Sequence, residues 1–262
     1  MHTLDKAYRA MGKEGYAVNI IIATIKSWNV ENARQLQQKY AGEHNIMIME
    51  SKEELQLDMI EEFNPDYIFF PHWSYIIKKE IFDRFPCVVF HMTDLPYGRG
   101  GSPLQNLIVR GHRETKLSAI KVTGELDAGP IYGKETLSLE GSAHEIYRRA
   151  SNVIFQKMIP AILRDRPLPV PQSGDITTFA RRRPEESELT AQMDMSTFYD
   201  YIRMLDAEGY PHAFIRLGDK KLRFTQAVRK DGIIEAKVTI EQEESDRNCA
   251  QDCRINGIRT EK

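Results

Sequence analysis

Along the chain, apolar and polar positions change their period several times. Residues 16–24 (YAVNIIIAT) are apolar and β-branched almost without interruption, the pattern of a strand buried on both faces. A helical spacing takes over from Val30, with Asn29 placed to cap it. Residues 45–49 predict a second short strand and residues 52–63 an acidic, amphipathic helix. A helix-stopping proline at position 65 opens a third strand, PDYIFF. Residues 76–85 predict a helix and residues 86–90 (PCVVF) a fourth strand. Strands alternating with helices imply a mostly parallel sheet joined by right-handed crossovers, the Rossmann-like doubly wound α/β class.

After His91 the pattern changes. A Gly- and Pro-rich loop at 94–103 leads to a predicted helix near 104–111, then strands near 117–123 and 131–139. Ile146, Ala150, Val153, Ile154 and Met158 keep one face of a long helix apolar, and Pro160 should kink it near its end. PLPVP at 167–171 reads as an extended, proline-stiffened linker. Beyond it a helix at 196–207 and alternating segments at 212–217, 221–228 and 233–241 predict a small β-rich subdomain. The expected organisation is a catalytic domain over 16–170 and a C-terminal subdomain over 171–245. An N-terminal extension (1–15) and a polar tail (246–262) flank them.

Composition narrows the function classes. The 262 residues carry 36 Lys+Arg against 38 Asp+Glu, a formal charge of −2. Residues 1–175 hold 21 and 22 of these, and residues 176–262 hold 15 and 16, so each part nets −1. Neither part is electropositive as a whole, which weighs against following a nucleic-acid backbone. No apolar stretch approaches the ~20 residues of a membrane helix, and the first fifteen residues lack the apolar core of a signal peptide. The three cysteines, Cys87, Cys249 and Cys253, are too few and too clustered for a disulfide framework, so a cytoplasmic setting is expected. No metal is assigned to the Cys249/Cys253 pair.

Two segments concentrate chemistry. FHMTDLPYGRGGSPLQN (90–106) places His91 directly after a strand, at the carboxyl edge where open α/β sheets hold ligands. TGELDAGP (123–130) is an acidic turn flanked by glycines. Asp127 there is the natural partner of His91, since a carboxylate orients an imidazole and stabilises its cation. The two residues are 36 positions apart, and composition alone does not join them.

The first segment resembles the H-x-S-L-L-P-x-x-R-G-x-x-P loop of the 10-formyltetrahydrofolate-dependent formyltransferases. LDAGP at 126–130 is similar to their L-D-x-G turn. The resemblance covers roughly residues 18–166, and residues 203–215 (RMLDAEGYPHAFI) are similar to the start of the small C-terminal domain of several members. It implies direct transfer, without a metal, from 10-formyltetrahydrofolate: an amine attacks the formyl carbon, a tetrahedral oxyanion forms, and tetrahydrofolate leaves. The family uses an Asn-His-Asp set, of which His91 and Asp127 match two members. Val89 stands where the Asn belongs and cannot donate a hydrogen bond, so His72 and then Asn106 are the candidates to replace it. Thr93 replaces the family's Ser, and Asp94 its Leu. Pro71, Trp73, Ser74 and Tyr75 align with the loop that helps hold the pterin, and Gly124, Glu125 and Leu126 would line the other side. Thr93, Asp94, Arg99 and Gly100 are expected to bind the acceptor.

Each residue also has a plainer reading. His91 and His72 can be packed core histidines, Asp127 a turn residue, Asn106 a cap, and Arg99 a surface charge. Ser27-Trp28-Asn29 lacks the glycine of a phosphate-binding turn, and Arg181–Arg183 reads as a solvated face. Among acceptors, the charge balance favours a nucleotide-linked amino sugar, a UDP- or dTDP-linked 4-amino-4,6-dideoxyhexose destined for a surface glycan. The loop also resembles that of formyltransferases acting on pseudaminic-acid-type sugars. Methionyl-tRNA formyltransferase and a non-catalytic folate-binding protein are the alternatives. An apolar strand in the C-terminal part is compatible with a homodimer.

Overall fold

The computed structural model describes residues 17–243. The N-terminal extension, the polar tail from 246 and the Cys249/Cys253 pair lie outside the described residues.

In chain order the first elements are β1 (Asn19–Ala23), α1 (Ser27–Lys39), β2 (Asn45–Met49), α2 (Leu57–Phe63), β3 (Tyr67–Phe70), α3 (Lys79–Phe82), β4 (Cys87–His91) and β5 (Arg99–Gly100). There follow α4 (Pro103–Val109), β6 (Glu114–Lys121), β7 (Ile131–Ser138), α5 (Ala143–Val153), a π-helical turn (Ile154–Met158), α6 (Ile159–Asp165) and β8 (Thr178–Phe179). A 3-10 turn, α7 (Met195–Arg203), β9 (Ala213–Leu217), β10 (Lys220–Lys230) and β11 (Ile233–Gln242) complete the chain.

Six strands form one sheet in the order β2-β1-β3-β4-β6-β7. The first four are parallel, and β6 and β7 are antiparallel additions. The apolar run in β1 is explained by its central place: Ile20, Ile21, Ile22 and Ala23 are wholly buried between β2 and β3. One face packs Ile21, Met49, Ile60, Ile68, Phe70, Ile81 and Cys87 into a continuous core.

The chain divides into two compact units. One comprises the residues up to Pro103, Glu114–Leu139 and Tyr147–Ala180, and so extends past the proline-rich segment. The other comprises Leu104–Arg113, Glu140–Ile146 and the residues from Arg181 on. In this second unit β9, β10 and β11 make an antiparallel sheet on which α7 packs, Phe198 meeting Phe224 edge-on at 6.3 Å. The edge strand β11 leaves Val238 and Ile240 exposed.

Three local expectations change. Helix α1 opens at Ser27 with Lys26 as its N-cap residue, so Asn29 lies inside the first turn rather than before it. Its buried amide instead donates to the Pro71 carbonyl at 3.1 Å, tying α1 to the end of β3. The helix expected at 76–85 is confined to α3. The expected kink at Pro160 is absorbed as the π-helical turn just before it. Proline has no N–H for the carbonyl four residues back and its ring crowds that carbonyl, so the preceding turn widens.

Candidate active site

In the six-stranded sheet the chain runs outward from β1 to β2 and then crosses back over β1 to β3 and β4, so the strand order reverses between β1 and β3. Ligands of doubly wound sheets bind outside the carboxyl ends of strands at such a switch point. Residues 26–29 and 71–73 follow β1 and β3 there, and His91 ends the adjacent β4.

His91 is buried, in register with Ser118 of β6. Its Nε2 lies 2.8 Å from the Gly98 carbonyl. A carbonyl only accepts, so Nε2 carries a hydrogen, and Nδ1 is left facing Asp127 Oδ2 at 3.6 Å. A second proton on the ring would therefore stand between Nδ1 and the carboxylate. The structure thus brings together His91 and Asp127 from segments that composition could not connect.

Asp127 is held from both sides. Its Oδ2 accepts from the Gly100 amide at 2.9 Å, and its backbone carbonyl accepts from Gln172 at 2.8 Å. Its φ of 52° is left-handed, a conformation aspartate tolerates better than most residues. Two residues on, Gly129 packs so closely on the Lys121 carbonyl that no Cβ fits. Gly100 has a φ of 104°, and a Cβ there would stand 2.5 Å from the Phe179 carbonyl oxygen.

The loop residues expected to bind acceptor have partners that build the loop. Thr93 is wholly buried, and its carbonyl accepts from Ser118 Oγ at 2.7 Å. Asp94 pairs with the Lys134 ammonium, which also donates to the Leu95 carbonyl. Arg99 places Nη1 3.3 Å from Glu125 and donates from Nε and Nη2 to Gln172 Oε1 at 3.1 and 2.9 Å.

His72, the first candidate for the missing donor, has a φ of 53° and lies among aromatic rings. The Tyr147 ring is 4.6 Å away, and Trp28, stacked on Tyr147, meets His72 edge-on at 5.8 Å. Burial, aided by the nearby Lys26 ammonium, lowers its pKa to about 4, so the ring is neutral at physiological pH. Asn106, the second candidate, lies in α4 and is described with the second unit, where its Oδ1 accepts from Arg110 at 2.8 Å.

The two stretches aligned with the pterin loops come from β3 and β6, the neighbours of β4. The Pro71 carbonyl is held by Thr24 and Asn29, at 2.8 and 3.1 Å. Trp73 packs edge-on against Phe70 and Tyr75, and Ser74 is exposed. Ile76 is 93% and Leu126 73% exposed beside the exposed Gly124 and Glu125. Each stretch thus displays a large apolar side chain, which suits cover by an apolar ring system. Among the described residues no cluster of three or more His, Cys, Asp or Glu side chains is placed to hold a metal ion.

Sequence reasoning missed Gln172 and Lys134. Neither belongs to a recognisable pattern; each reaches the loops from a distant part of the chain.

The family described as Formyl transferase matches residues 3–162, and the family described as methionyl-tRNA formyltransferase, C-terminal domain, matches residues 184–241. The methionyl-tRNA formyltransferase of Rickettsia felis is 26% identical over 200 residues, 71% of this chain. The match spans 64% of that relative, less than two thirds of its length. A solved methionyl-tRNA formyltransferase from Clostridium thermocellum is 54% identical, with a TM-score of 0.85 over 86% of this chain and 99% of its own. A sugar N-formyltransferase from a Shewanella species, 12% identical, shares the fold at a TM-score of 0.61 over 85% of this chain and 97% of its own. Matched over more than half its length, this chain belongs to the formyl transferase family.

Proposed function

We propose that the protein transfers a formyl group from 10-formyltetrahydrofolate to the amino group of methionyl-tRNA. The observation that carries the acceptor is the 54% identity to a solved protein named for that activity, joined by the match of residues 184–241 to the C-terminal domain of the same name. This departs from the nucleotide sugar favoured by charge. A net charge of −1 over residues 176–262 averages over the whole segment and says nothing of how charges are distributed. Strands β9–β11 and their turns carry Arg216, Lys220, Lys221, Arg223, Arg229, Lys230 and Lys237.

For the chemistry, His91 and Asp127 have complementary roles. The acceptor nitrogen bonds to the formyl carbon, the carbonyl oxygen becomes an oxyanion, and the carbon–N10 bond then breaks. Asp127 and the His91 ring take the proton lost by the acceptor amine and return one to the departing N10, so the proton count closes. His91 Nε2–H, now on Gly98, becomes the donor to the oxyanion when the formyl oxygen replaces that carbonyl.

A second reading, a nucleotide-linked amino sugar as acceptor, rests on the overall charge of −2. Incubation with 10-formyltetrahydrofolate and charged initiator tRNA, alongside UDP- and dTDP-linked 4-amino-4,6-dideoxyhexoses, separates the two by mass spectrometry. Formylated methionyl-tRNA is the expected product. A formylated sugar with untouched tRNA would replace the proposal by the second reading, and folate binding without any product would leave a binding protein.

A further inference from the structure

We infer that Gln172 is a positioning residue for the His91–Asp127 pair, and that residues 170–179 are a strap that sets the spacing of the two catalytic loops. The inference rests on the formyl-transfer reading. Val170 exchanges two backbone hydrogen bonds with Ile131, at 2.7 and 2.8 Å, anchoring the strap beside the turn that carries Asp127. Farther on, Thr177 Oγ1 accepts from the Gly98 amide at 2.7 Å, the Thr177 carbonyl accepts from Arg99 N–H at 3.0 Å, and the Phe179 carbonyl from Gly101 N–H at 3.0 Å. One segment thus grips the loop below His91 and the loop that bears its carboxylate.

Gln172 joins the two gripped loops through one planar amide. Its Nε2 donates to the carbonyls of Asp127 and Gly129, at 2.8 and 2.9 Å. Its Oε1 accepts from Arg99 Nε and Nη2. Two carbonyls and a guanidinium fix which end of the amide is which, and they demand a side chain with two donors and a two-lone-pair acceptor at that reach. Glutamate lacks the donors, methionine lacks both functions, and asparagine is one methylene short. The left-handed backbone at Asp127 persists only where its surroundings hold it. Gln172 holds it from the carbonyl side, while the residue after Arg99, Gly100, holds the carboxylate.

The test compares wild type, Gln172→Met, Gln172→Glu and Gln172→Asn in the full chain. With 10-formyltetrahydrofolate and methionyl-tRNA, Gln172→Met should lower kcat by about 10–100-fold with little change in either KM, since small misplacements of reacting groups cost about 10²-fold. Gln172→Glu keeps the acceptor for Arg99 but turns it against two carbonyls, and should fall at least as far. Should Gln172→Met fail to fold, Gln172→Asn decides: it keeps an amide and should still lose kcat. A loss confined to KM, or full kcat in the folded variants, overturns the inference. Hydrogen exchange at the Gly100 amide, which donates to Asp127, gives a readout without turnover. It should quicken at least tenfold in the variants, and unchanged exchange also overturns the inference. No turnover by wild type on any acceptor, with the exchange change observed, would fail the formyl-transfer reading alone.

Discussion

The Gly100 amide donates to Asp127 Oδ2 at 2.9 Å, so a backbone group of one loop aims the carboxylate of another. Position 100 admits no side chain, because φ is 104° and a Cβ would meet the Phe179 carbonyl oxygen at 2.5 Å. Gly100→Ala must therefore rotate the amide or push β5 off β8. We expect a stability loss of about 1–3 kcal/mol from the backbone conformation and a fall in kcat. Urea denaturation and steady-state turnover check this, and a variant as stable and as active as wild type would show that the carboxylate is aimed by something else.

Asp127→Asn tests the carboxylate directly. An amide offers Gly100 the same oxygen acceptor but presents neutral NH2 hydrogens where His91 needs a negative partner. His91→Ala removes the ring. Each should lower kcat by about 10²–10⁴-fold, the usual contribution of a positioned acid or base. Asp127→Asn at full rate would reduce Asp127 to a turn residue.

How much of this was legible in the sequence depends on whether the cause was local. The β1 run of isoleucines marks a strand covered on both faces, and the His91 and Asp127 segments stand out because their residue types are rare together. Their meeting follows from β6 pairing with β4 and turning back into β7. Asn29 reads as a cap because residue type favours that role; its partner in the fold, Pro71, is 42 residues away. Gln172 lies beside prolines that suggest a linker, and one hydrogen-bonding side chain leaves no period. Asp94 reads from the sequence as a lone loop charge because its partner Lys134 lies 40 residues on. The acceptor is hard to read for a related reason: net charge is a sum over a segment, whereas recognition depends on where charges lie.

His72 should make stability pH-dependent. Its folded pKa of about 4 lies below the ordinary 6.5. Between these values the unfolded chain binds more protons, so stability rises with pH; it is lost as pH falls from about 6.5 toward 4. At 1.36 kcal/mol per unit the ceiling is about 3 kcal/mol. His72→Phe keeps an aromatic ring against Trp28 and Tyr147 but cannot be protonated. Urea midpoints at pH 7 and pH 5 should differ more for wild type than for the variant, and equal differences would mean that His72 is hydrated in the folded protein.

The Asp94–Lys134 pair gives an asymmetric prediction. Asp94 is about half exposed, and an exposed ion pair contributes only ~0–1 kcal/mol. Lys134 is less exposed and also donates to the Leu95 carbonyl, so its removal strips two acceptors at once. Lys134→Met should therefore cost about 1–3 kcal/mol, as for charged hydrogen bonds, and Asp94→Asn less than about 1 kcal/mol. The tethered loop continues to Gly98, whose carbonyl holds His91 Nε2, so Lys134→Met should also lower kcat while Asp94→Asn leaves most of it. Denaturation curves and turnover of the two variants decide the matter. If Asp94→Asn is the more damaging in both, the carboxylate meets the acceptor itself, and Lys134 merely holds it in place.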